Sequence, residues 1–324
     1  MTVTLPDHIV RVDQPLFLIS QAQRSGGSLL LRLLDGHPEC NVVPFQLRGL
    51  DEVAKRPPTN LEEAWKKFYD PKLALRYEAG HRQRKHDILR DEETFSFDLQ
   101  PELQRAIFDA CAGGREPSLR NLFDCYFTSY FNAWLDYDNL MTGEKRWVVG
   151  FEPGVARSLS RRTAVRNLYP DGRVVSIVRD PWSWYASARR WEARWAEREA
   201  ALDHWCSVAG GTLKWQRKQS KQRREVRLVT FEKLLTETEE TMRRIARWIG
   251  IEFRPELTRP TFNGRPIKAN TSFSDVQTEV STAPLERAQG ELSADDVDYI
   301  EARAGELYRT MAKKSKRDWT KPVD

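Results

Sequence analysis

The chain has 324 residues, 40% of them apolar and 31% charged, with a formal charge of +5 and a pI near 9.0. That balance excludes a disordered polyelectrolyte, and the absence of any run of eighteen apolar residues excludes a membrane-spanning helix. Residues 1–15 lack the apolar centre of a secretory leader, so the protein is expected in the cytoplasm.

The net positive charge suits an anionic partner without naming it: nucleic acid, an anionic lipid surface, an acidic glycan or a polyphosphorylated nucleotide all fit. Cys40, Cys111, Cys125 and Cys206 form no CxxC pair and no ligand-spaced cluster. They are expected to be reduced, mostly buried thiols, and the five histidines show no metal-ligand spacing.

In chain order, the first strand is expected at Leu16-Phe17-Leu18-Ile19-Ser20, between a proline and a polar turn. A turn with two glycines follows, then an apolar helix from Ser28 to Leu34, closed by Asp35-Gly36-His37-Pro38. From about residue 47 to 139 the texture becomes charged, aromatic and helical, with helices expected at 61–69, 101–112 and 118–137. Strand patterns resume at 147–151, 173–178 and 227–231, each beside a helical stretch. An amphipathic helix covers 236–249, and a further helix follows residue 292. Strands alternating with helices predict an α/β fold with a central, largely parallel sheet flanked by helices. A single domain spanning 1–324, with a helical insertion at about 51–140, is the simplest organisation.

Two stretches carry the chemistry. Arg24-Ser25-Gly26-Gly27-Ser28-Leu29 follows a strand and opens a helix, the arrangement that aims backbone N–H groups at an anion. Arg179-Asp180-Pro181, with Ser187 after it, supplies a guanidinium at a strand end and a hydroxyl on the next helix, suited to a second phosphate. A nucleotide kinase loop would need GxxxxGK[ST], with lysine after the glycines. Here the basic residue precedes them. Such a kinase also needs a carboxylate at a strand end to hold Mg²⁺. Asp180 qualifies by position, but Asp180-Pro181 equally reads as a helix N-cap with proline at the first helical position.

At these residues the chain resembles the family of sulfotransferases that use 3′-phosphoadenosine-5′-phosphosulfate (PAPS), particularly its bacterial members. Arg24–Leu30 is similar to the family's 5′-phosphosulfate loop, Lys/Arg-Ser-Gly-Thr-Thr followed by apolar residues, with Gly27 and Ser28 in the two threonine places. Arg179 and Ser187 match its 3′-phosphate motif in spacing. Val229-Thr230-Phe231-Glu232-Lys233-Leu234 with Trp248-Ile249-Gly250 resembles a third stretch. Lys268, Asn270, Thr271 and Ser272 resemble a late loop that closes over the nucleotide. The likeness spans roughly residues 16–50 and 145–275. It implies a P-loop-like fold, PAPS as donor, 3′,5′-adenosine diphosphate (PAP) as product and no metal.

The resemblance further implies that Arg24, with Ser28 and the N–H groups of Gly26 to Leu29, stabilises charge on the leaving group, and that Ser187 links the 3′-phosphate to Arg24. The general base is less legible. Relatives place a glutamate soon after the first helix, where this chain reads Asn41-Val42-Val43-Pro44-Phe45-Gln46. Glu152, after the 147–151 strand, is the candidate put forward, with His37, His86 and Asp98 behind it. The helical insertion is expected to form the acceptor site, leaving a small molecule, lipid or glycan open.

Trp182, Trp184, Tyr185, Trp191 and Trp195 with Arg189, Arg190, Arg194 and Arg198 read as one helix. Its basic face suits solvent, an acceptor or peripheral contact with an anionic membrane. Lys214, Arg217, Lys218, Lys221, Arg223 and Arg224 form a second basic run. No nucleic-acid-binding signature accompanies either run, so no nucleic-acid partner is expected. A non-catalytic nucleotide- or nucleic-acid-binding protein stays open as the alternative to the enzyme, as does a P-loop-like nucleotide kinase.

Overall fold

The computed structural model describes residues 3–47, 53, 55–69, 97–114, 118–218, 225–266, 279–288 and 290–319. Its centre is a five-stranded, all-parallel sheet. The strands are β1 (Leu16–Gln21), β2 (Cys40–Gln46), β3 (Trp147–Phe151), β4 (Arg173–Val178) and β5 (Val226–Thr230), ordered β2-β3-β1-β4-β5. Parallel strands need covered faces on both sides, so their sequences are apolar throughout rather than alternating. In β1, Leu16 and Leu18 pack into the core on one face, while Phe17 and Ile19 pack into the core on the other.

The chain runs from central β1 to the β2 edge, returns through β3, and crosses β1 to reach β4 and β5. Connections therefore diverge at the carboxyl end of β1, the position where open α/β sheets bind ligands. Helix α1 (Gly27–Leu34) leaves from that point.

Helices α2 (Leu61–Phe68), α3 (Pro101–Gly113) and α4 (Leu119–Ala133) follow β2, and their aromatic residues pack inward as the helical spacing predicts. Helix α5 (Leu159–Leu168) follows β3, and α6 (Pro181–Trp191) and α7 (Arg198–Lys218) follow β4. After β5 come α8 (Phe231–Thr236), α9 (Thr238–Ile249) and the two-stranded β6 (Thr261–Phe262) and β7 (Arg265–Pro266). The described chain ends with α10 (Ala283–Ala288), α11 (Ala294–Ile300) and α12 (Glu306–Asp318).

Three expectations change. Cys111 on α3 and Cys125 on α4 are joined as a disulfide, not reduced, because tight antiparallel packing brings their Cα atoms to 5.5 Å. Cys40 is a buried free thiol and Cys206 a half-buried one, as composition suggested.

The expected helix over 182–198 is broken. Glu192 is extended (φ −137°, ψ 130°), so α6 ends at Trp191, and Trp195 folds back to lie 6.0 Å from Trp184. Trp184 and Trp195 are buried, whereas Trp191 is 38% exposed. The basic face is matched by carboxylates: Arg190 pairs with Glu291, Arg194 with Glu192, and Arg198 with Asp295 and Asp296. Lys214, Arg217 and Lys218 lie on α7, and the rest of that run falls outside the described residues.

The amphipathic helix expected at 236–249 is α9, which starts two residues later, at Thr238. Finally, residues 41–46, taken as a stretch without a base, are the edge strand β2. Pro44 is tolerated there because an edge strand has a side with no ladder to serve.

Candidate active site

The first helix begins in a strained turn. Arg24 adopts a left-handed conformation (φ 66°) and so does Gly26 (φ 91°), which puts the amides of Gly27, Ser28 and Leu29 at the start of α1. The first N–H groups of a helix have no intrahelical partner, and the helix dipole adds positive potential there. A non-glycine residue held left-handed costs about 1–3 kcal/mol and persists only where its surroundings fix it.

Several contacts do the fixing. The Trp184 indole N–H donates to the Gln23 carbonyl at 2.6 Å, and the His204 ring nitrogen Nε2 lies 2.6 Å from Gln23 Oε1. Burial, with Arg157 and Arg194 nearby, pushes the His204 pKa down to about 4. Its neutral ring therefore donates to Gln23 at physiological pH. Gly154 N–H ties the Gln21 carbonyl at 2.8 Å. A Cβ on Gly26 would meet the Phe231 ring at 2.5 Å, so glycine is required there twice over.

Gly27 departs from the threonine of the resembled motif for a local reason. A Cβ there would fall 2.1 Å from Nε2 of Gln21, a side chain 2% exposed that occupies the space. The Gly27→Thr variant is therefore expected to lose about 1–3 kcal/mol through overpacking. Thermal unfolding of Gly27→Thr, Gln21→Ser and the double variant checks this. The double variant should recover most of the loss, and simple additivity would contradict the account.

Arg179 arrives from the end of β4 and is only 4% exposed. Its guanidinium donates to the Arg24 carbonyl (3.2 Å) and to Ser183 Oγ (2.9 Å), and its Cζ lies 4.7 Å from the centre of the Phe231 ring. Arg24 itself stacks over Trp191 at 4.3 Å. The two guanidiniums are close enough to interact. Burial and then Arg179 push the Arg24 pKa down to about 10, against Glu192. Burial brings Arg179 down to about 10, against Asp180 and Glu232. Both stay cationic at neutral pH, and two neighbouring buried cations form a site that favours an anion.

The residues expected from sequence divide unequally. Arg24, Ser25, Gly26, Gly27, Ser28, Leu29 and Arg179 come together at the carboxyl end of β1. Ser187 is buried on α6, but the hydroxyl that holds Arg179 is Ser183, one turn earlier. Lys268, Asn270, Thr271 and Ser272 lie outside the described residues, as does His86.

Glu152 is 4% exposed and follows β3. Its backbone N–H donates to the Ile19 carbonyl at 2.9 Å, and its carboxylate is 4.0 Å from Arg161. It thus stands at the same sheet edge as the turn. His37 does not. It follows the far end of α1, about 12 Å of helix away, with Nε2 on the Glu252 carbonyl and Nδ1 accepting from Glu39 N–H. Asp98 is exposed beside Leu99, which bridges to Trp134.

Asp180, the carboxylate a Mg²⁺-dependent kinase would use, caps α6. It accepts the Ser183 N–H at 2.8 Å and the Ser183 hydroxyl. Behind it, Glu232 accepts the Asp180 N–H at 2.9 Å and the Tyr308 hydroxyl at 3.1 Å. Burial, then the neighbouring Asp180, pushes the Glu232 pKa up to about 7. Sequence reasoning passed over Gln21, Ser183 and His204. Only Ser183 left a trace, as the third residue after an Asp-Pro helix start.

Comparison with known proteins agrees with this fold. Residues 15–255 match the Sulfotransferase family. Among solved structures, the sulfotransferase domain from the curacin biosynthetic pathway is 13% identical, covering 90% of this chain and 98% of its own, with a TM-score of 0.53. The sulfotransferase domain of the Synechococcus PCC 7002 olefin synthase is 18% identical, covering 96% and 98%, also with a TM-score of 0.53. No curated protein matches in sequence. Matched over most of its length, with a parallel sheet and an anion-directed turn at the carboxyl end of β1, the chain belongs to the sulfotransferase family.

Proposed function

We propose that the protein transfers the sulfuryl group of PAPS to a hydroxyl or amine of an acceptor, releasing PAP. The observation that carries this reading is the Arg179 guanidinium bonded to the Arg24 carbonyl. It joins two cationic elements of one site, one for each end of a 3′-phosphorylated donor. On this reading the amides of Gly26 to Leu29, with Ser25 and Ser28, receive the 5′-phosphosulfate, while Arg179 and the α6 hydroxyls receive the 3′-phosphate.

The acceptor oxygen attacks sulfur as the bond from sulfur to the bridging phosphate oxygen breaks, and charge develops on the 5′-phosphate of PAP. Arg24 meets that charge. The acceptor proton passes to Glu152 when the acceptor is a hydroxyl. Residues 1–324 act as one domain, with the 51–140 region beside the acceptor.

Radiolabelled PAPS incubated with the protein and a mixed lipid and glycan extract tests the reading. Label should move into an acceptor fraction. Salt-sensitive binding of nucleic acid, with neither label transfer nor nucleotide binding, would contradict it.

A further inference from the structure

The groups around Arg179 continue into a second layer. Arg179 is held between Ser183 Oγ and the Arg24 carbonyl, and Asp180, the next residue, caps α6. Behind Asp180 stands half-buried Glu232, the second residue of α8. Its Oε1 accepts the Asp180 N–H at 2.9 Å, and its Oε2 accepts the Tyr308 hydroxyl of α12 at 3.1 Å. The Asp180 carboxyl is also within hydrogen-bonding reach of the Glu232 carboxyl, and the charge of Glu232 acts on Arg179.

Two neighbouring carboxyls share one guanidinium, and like charges at this separation resist ionising together. Burial, then Asp180, pushes the Glu232 pKa up to about 7. Among the described residues, the titratable and charged groups facing Glu232 are Asp180 and Arg179 from the β4–α6 junction and Tyr308 from α12. On its own helix, Lys233 is paired with Glu237.

A 3′-phosphate seated on Arg179 adds about two negative charges to this group. Added negative charge disfavours the ionised form of a nearby carboxyl. We propose that Glu232 is a positioning residue for Arg179 and takes up a proton from solvent when the 3′-phosphate binds, so that nucleotide affinity falls as pH rises. While ionised, Glu232 competes for the charge of Arg179. Once protonated it donates to the Asp180 carboxylate and leaves Arg179 to the phosphate. No bond of the nucleotide changes in this step. The pKa of Glu232 is higher in the complex than in the free protein. Its contribution to affinity is therefore complete below about pH 7 and is lost as pH rises through the value in the complex. The inference rests on the PAPS reading, and PAP binding separates the two.

The test is calorimetric titration of the full chain with PAP at pH 7.0 and 8.5, and at pH 7.5 in two buffers of different ionisation enthalpy, HEPES and Tris. The 3′-phosphate, with a second pKa near 6, is ionised throughout this range. The native protein should bind PAP about three- to tenfold more weakly at pH 8.5 than at 7.0, and take up about half a proton at pH 7.5. Glu232→Gln copies the protonated form. It should show a flat profile, no proton uptake, and tighter PAP binding than the native protein at pH 8.5, a gain that loss of a merely structural residue would not give. Tyr308→Phe removes a hydrogen bond that favours the ionised form, so its affinity should begin to fall at a higher pH. It decides the matter alone should Glu232→Gln fail to fold. Equal pH dependence in the native protein and Glu232→Gln, or an unshifted profile in Tyr308→Phe, would overturn the proposal while leaving the donor reading intact. No PAP binding at either pH would strike the donor reading and this inference with it.

Discussion

Replacing Arg24 with alanine should lower turnover about 10²–10³-fold, the loss typical of removing one preorganised donor from developing charge. The guanidinium sits beside the turn, stacked on Trp191 and flanked by Arg179. Sulfuryl transfer needs little covalent help from the protein, so positioning and electrostatics carry the rate. The backbone of residue 24 must stay left-handed for the turn to form, and alanine resists that conformation. Arg24→Gly is therefore the companion variant. It keeps the turn and loses only the charge, so the two variants should be similarly slow in transfer from radiolabelled PAPS. Full activity in Arg24→Gly would remove Arg24 from the mechanism.

Glu152→Gln should be slower still with a hydroxyl acceptor, by about 10²–10⁴-fold, the usual contribution of a positioned base. PAP affinity should not change, since the Glu152 backbone contact to Ile19 survives the substitution. A purely structural role, salt-bridged to Arg161 4.0 Å away, makes a different forecast. In that case Glu152→Gln and Arg161→Ala would both lower the unfolding temperature, and turnover of the folded fraction would be normal. An amine acceptor, which is a nucleophile when neutral, would show a smaller effect.

The sheet was largely legible because buried parallel strands leave continuous apolar runs: β1, β3, β4 and β5 all stand within a residue of expectation. Strand β2 was not. It has a proline and two polar residues, and its pattern makes sense only once it is an edge strand. The Trp-rich stretch read as one helix because its helical spacing continues through Glu192. The break there lets Trp195 pack edge-on against Trp184 and tilted against His204, a tertiary contact with no local signature.

The turn at Arg24 was visible because phosphate-type binding needs small residues next to a helix start. What supports it was not. His204 stands 181 positions from Gln23, and Gln21 excludes a threonine at Gly27 only through their packing. The disulfide escaped notice for a similar reason. A spacing of 14 residues between Cys111 and Cys125 acquires meaning only when two helices fold antiparallel.

Calorimetric titration with PAP, set against adenosine 5′-diphosphate, tests the central claim most directly. The two nucleotides carry the same number of phosphates and differ in where the second one sits. The account predicts saturable PAP binding at one site and at least tenfold weaker binding of adenosine 5′-diphosphate, with the difference abolished in Arg179→Ala. Equal affinity for both, or a preference for the 5′-diphosphate, would contradict it.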